Sequence, residues 1–106
     1  MRKVHIFIGN ACIGKTTFQI VDESMGGIMG RFVPNEHYSS YQAQIQQLTA
    51  NKGIANVDDF NFRIVTTAGI ELHSVGGIGL TDVVGIGEII VEVAGIDWKV
   101  MEDLKK

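Results

Sequence analysis

The chain begins with an alternation. Between Lys3 and Ile8, the residues Val4, Ile6 and Ile8 fall on one side and His5 and Phe7 on the other, which is the period of a strand. Apolar groups on both sides imply that both are largely covered. Residues 9–15 read as a turn region, and residues 16–22 alternate again with Phe18 and Ile20 opposite Gln19 and Val21, so a hairpin is expected. The polar stretch up to Gly27 breaks the pattern, residues 28–33 can supply a third strand, and Pro34 ends it by removing a donor.

Helical spacing follows. Tyr38, Tyr41, Ile45 and Leu48 share one helical face, Asn35 is placed to cap the start, and Asn51-Lys52-Gly53 supplies a stop, which predicts one principal α-helix over about residues 36–51. The other face, with Ser39, Gln42 and Gln46, is largely uncharged. After a turn at residues 56–59, Phe60, Phe62 and Ile64 alternate with Asn61 and Arg63, and Ala68-Gly69 leads back into residues 70–75 as a second hairpin. Residues 75–87 are apolar but rich in glycine, a pattern of bulges or of a mobile loop.

Residues 88–96 form the most strand-like run, with Ile89, Val91 and Val93 on one face and Glu88, Ile90 and Glu92 on the other. It reads as an adhesive edge whose glutamates discourage uncontrolled pairing. Asp97 is expected to cap a short closing helical turn with Trp98, Met101 and Leu104 on one side and Lys105 and Lys106 near its carboxyl end. Strands interrupted by a single long helix indicate an α+β fold: a mainly antiparallel sheet, curled against the helix or closed as a small barrel, in a single domain spanning residues 1–106.

Composition sharpens this picture. Fourteen Ile and eleven Val against four Leu favour strands, because β-branched side chains fit a pleated surface better than a helix. With 106 residues the chain is long enough for one core. The net charge of −3 argues against general nucleic-acid binding, and no apolar run approaches membrane-spanning length. A single cysteine, Cys12, excludes an internal disulfide, and with neither a membrane-length run nor a leader-like stretch the expected setting is cytoplasmic.

One motif carries candidate chemistry. Gly9-Asn10-Ala11-Cys12-Ile13-Gly14-Lys15-Thr16 fits the pattern G-x-x-x-x-G-K-[ST] directly after an apolar strand. Over these eight residues the chain resembles the phosphate loop of P-loop nucleoside triphosphatases. That resemblance implies cofactor-binding roles for Gly9, Gly14, Lys15 and Thr16, with Lys15 reaching the outer phosphates and Thr16 ligating Mg²⁺. Such a loop also needs a helix starting at the motif, whereas residues 16–22 alternate as a strand; a glycine-permitted hairpin turn accounts for the same spelling.

The remaining candidates are scattered. His5, His73, Asp22 and Glu71 lack metal-ligand spacing, His37 is expected to face solvent, and Cys12 beside Lys15 reads as a small packed residue. Asp58-Asp59 reads as turn chemistry, and Tyr38 and Tyr41 as anchors of the helix. No catalytic residue, metal or cofactor is assigned. A hydrophobic share of 45% with mean hydropathy +0.17 is high for so small a domain and points to apolar surface that meets a partner. The expectation is a non-enzymatic, self-associating binding or assembly module, a homo-oligomer joined through its Ile/Val-rich strand or its sheet face. The alternatives are nucleotide or phosphate binding at residues 9–16, and a small-molecule site within the curled sheet lined by Phe7, Phe18, Phe60 and Phe62 with a histidine as polar anchor.

Overall fold

The computed structural model describes residues 2–105, apart from the side chain of Trp98. The expected packing of Trp98 and the position of Lys106 therefore lie outside the described residues. The strands are β1 (Lys3–Ile8), β2 (Ala11–Thr17), β3 (Gln19–Asp22), β4 (Gly27–Pro34), β5 (Ala55–Asn56), β6 (Phe62–Thr66), β7 (Glu71–Leu72), β8 (Ser74–Asp82) and β9 (Ile89–Ile96). A 3-10 turn (Glu36–Ser40) and helix α1 (Gln42–Lys52) separate β4 from β5, and α2 (Trp98–Lys105) follows β9.

The strands form one antiparallel sheet in the order β5-β8-β9-β4-β2-β1-β6-β7, with β3 pairing β4 beyond the reach of β2. The sheet curls into a half-barrel, giving the α+β architecture that the alternation predicts. Its inner face carries Val4 and Ile6 from β1, Phe32 from β4, Ile64 from β6, Leu80 from β8 and Val91 from β9, all buried. Ile45 of α1 and Met101 and Leu104 of α2 join the same core. Burying an Ile or Met side chain contributes about 1.5–3 kcal/mol, so these contacts rather than helix propensity hold both helices in place.

Several elements differ from their expected form. The turn expected over residues 9–15 is only Gly9-Asn10, and the chain is already a strand from Ala11. An extra residue at Ile13 bulges the ladder between the pairs Ile6↔Gly14 and Phe7↔Cys12, which turns both Ile13 and Gly14 inward. The helix expected from residue 36 is divided: Asn35 accepts a hydrogen bond from the His37 amide, residues 36–40 wind as a 3-10 turn, and the α-helix starts at Gln42. The tighter winding brings residues three apart onto one side, so that Tyr38 packs edge-on to Phe32 at 5.2 Å and Tyr41 to Phe60 at 6.0 Å. Gly53 then closes α1 in the left-handed conformation, as its stop signal predicts.

Residues 70–75 do not make one strand. Glu71 and Leu72 pair with β6, and after His73 the chain joins β9 instead. Most of the glycine-rich stretch is the regular strand β8, bulged near its start between Ser74 and Gly77, and the rest is the turn at residues 83–88. The expected edge strand is central: β9 pairs with β4 on one side and β8 on the other, so its backbone groups are used within the chain. Glu92 faces outward as expected, but its neighbours are Met29 and Gly79 rather than an open edge.

Candidate interaction surface

Of the phosphate-loop residues, Gly14, Lys15 and Thr16 lie on strand β2 and Gly9 in the turn before it. Lys15 lies opposite His5 on β1 and Val33 on β4 and is exposed, whereas Thr16 is buried and its hydroxyl donates to the Arg31 carbonyl at 2.8 Å. The carbonyls of Cys12 and Ile13 accept from the Asn35 side chain and amide, at 2.8 and 2.9 Å. Gly9 donates to the Asn61 carbonyl, and its own carbonyl accepts from Arg63 at 2.6 Å. Arg63 also grips Glu71 at 2.7 Å, and this hydrogen bond holds the Glu71 carboxyl below its usual range. A Cβ on Gly14 would overlap the Phe32 ring and the Val33 carbonyl, so the glycine serves close packing against β4. The segment thus lacks the helix whose amides and dipole would face an anion.

The other sequence candidates are also dispersed. Phe18 and Phe62 are buried in the core, Phe60 packs on Tyr41 and Phe62, and Phe7 lies on the outer face of β1 with the Arg63 guanidinium 5.5 Å from its ring centre. They do not gather around one cavity. His5 is half-buried mid-strand, while His73 and His37 are exposed. Among the described residues, no three His, Cys, Asp or Glu side chains come together as metal ligands. Asp59 accepts from the Asn56 amide and from Lys52, which holds its carboxyl below the usual range, and the Asp58 amide donates to the Asn56 side chain, as turn residues do.

Asp82 was not legible as a candidate. It is buried at the end of β8, where its carboxylate accepts from the Tyr38 hydroxyl at 2.7 Å and from the Gln42 and Gln46 amides at 3.3 Å each. Its own amide donates to Thr49 Oγ1. Burial first, and then the Asp82 carboxylate, push the Tyr38 hydroxyl far above its usual pKa. With three donors on the carboxylate, the cluster acts as a strut between the helical segment and the sheet, and it explains why the Gln42 face of the helix is polar yet uncharged.

Open apolar surface is concentrated in the segments at the two ends of the β8–β9 pair. At the end of β8 and β9 nearest residues 75–79 lies a groove of about 810 Å³. Its floor includes Gly77, Gly79, Glu92 and Ala94, and Val21, Met25, Val57 and Val75 stand exposed around it. A side chain at Gly79 would collide with Ile54, so the glycines of β8 let the neighbouring segment lie close to the sheet. Asp22, Asp58 and Glu92 make this groove end acidic.

At the other end of the same two strands, the turn at residues 83–88 presents Val83, Val84 and Ile86, with Val33 exposed on neighbouring β4. Arg31 lies beside this turn, paired with Glu88 at 3.2 Å but 72% exposed, and exposed Lys15 pairs in register with Val33. Eight of the nine exposed large hydrophobic residues among those described fall at these two ends, leaving only Ile70 elsewhere. Compared with known proteins, the chain matches no family model, no curated protein and no solved structure. Among the described residues, no helix is long and apolar enough to cross a membrane.

Proposed function

We propose that this chain is a small cytoplasmic binding or assembly module that associates with copies of itself. The supporting observation is the gathering of exposed Val, Ile and Met side chains at the two ends of one sheet face, where a lone domain gains nothing from leaving them in water. A standard interface takes about 800 Å² from each partner, roughly an eighth of the 6051 Å² that the chain exposes. With β9 paired on both sides, the sheet face and its terminal turn carry the association rather than a free strand edge. The lone Cys12 thiol suits a reducing compartment.

Sedimentation and light scattering over a wide concentration range test the reading. Mass should rise with concentration and fall when Ile86, 66% exposed, is replaced by Asp. A chain that stays monomeric at every accessible concentration would refute it.

A further inference from the structure

Resting on that reading, we infer that the groove at one end of the β8–β9 face receives the 83–88 turn of a second copy of this chain, so that copies join head to tail. The two surfaces lie at opposite ends of the same antiparallel pair. The register runs from Asp82↔Ile89 beside the turn to Gly77↔Ala94 in the groove floor. At about 3.3 Å per residue these pairs are about 17 Å apart, so one domain cannot place its own turn in its own groove.

Charge disfavours groove against groove. It would set Asp22, Asp58 and Glu92 against their own copies, whereas the turn end carries Glu88 paired with Arg31 and, beside them, exposed Lys15, so that end keeps a positive excess. Turn against groove brings the end carrying Arg31 and Lys15 to the acidic end. Shape agrees: Val84 and Ile86 project from the turn, and exposed Val21, Met25 and Val75 stand around the groove. A heterologous contact of this kind propagates into a ring or an open filament.

Two double variants test the polarity. Val84→Asp with Ile86→Asp blocks the turn, and Met25→Asp with Val75→Asp blocks the groove; each position is at least 66% exposed, and circular dichroism checks that both variants fold. Each variant alone should sediment as a monomer at concentrations where the native chain assembles. Mixed in equal amounts they should form a one-to-one dimer that grows no further, because only one competent turn and one competent groove remain. Association of either variant alone at native strength overturns the head-to-tail arrangement while leaving self-association standing, and so does a mixture that stays monomeric beside an assembled native chain. A native chain that never associates overturns both.

Discussion

Two glycine-bearing segments of this protein invite comparison, residues 9–16 and residues 76–87. The first spells a phosphate loop; the second spells nothing in particular. In the folded chain the first is a tight turn running into a bulged strand, whose carbonyls are taken by Asn35 and Arg63 and whose threonine hydroxyl donates to the Arg31 carbonyl. The second forms the floor of an open acidic groove and, at its other end, a turn of exposed Val and Ile. Binding capacity depends on which groups the fold leaves unused, and a motif reports only which groups are present.

The strongest way to break this contrast lies at Asp82, where the second segment meets the helix. Asp82→Ala would leave Tyr38, Gln42 and Gln46 without their shared acceptor and should cost on the order of 3 kcal/mol, read from the urea midpoint. The same cluster gives an alkaline limb. Folded Tyr38 keeps its proton to higher pH than an unfolded tyrosine, so above about pH 10 the unfolded state alone releases it, and stability falls by about 1.4 kcal/mol per pH unit. Tyr38→Phe should start less stable and lack that limb; an unchanged pH profile would mean that the hydroxyl is not held as described.

In the first segment, Gly14→Ala should cost about 2 kcal/mol, because the added carbon has only the Phe32 ring and the Val33 carbonyl to displace. Thermal denaturation reads this directly, and an unaffected midpoint would show that β2 and β4 are not so close. The smallest effect is expected at exposed Lys15. Lys15→Ala should change stability by less than about 0.5 kcal/mol, and titration with Mg²⁺ and nucleotide should be equally flat for the native chain and the variant. A saturable response lost in the variant would restore the phosphate-loop reading and with it the significance of the motif.

Much of the fold was legible because local pattern and burial coincide. The alternation of Ile89, Val91 and Val93 with Glu92 marks which side of β9 is buried, and Asn35 and Gly53 mark where the helical segment starts and stops. Strand order was not legible, since pleating decides the face a residue takes but carries no record of its neighbours in the sheet; hence the central strand β9 resembled an edge. The division of the helix at Tyr41 was hidden for a related reason, because residues three apart share a side in both 3-10 and α winding.

By itself, then, the sequence determined the class of fold, the inward faces of its strands and an excess of apolar residues over what one small core absorbs. Only the tertiary structure decided where that excess goes and which polar groups stay available. Asp82 sits in an ordinary apolar run until a helix forty residues earlier brings Tyr38 and Gln42 to it, and the groove exists only because β3, β5 and the start of β8 converge. Those outcomes depend on contacts between residues distant along the chain, which periodicity, a property of neighbours, does not encode.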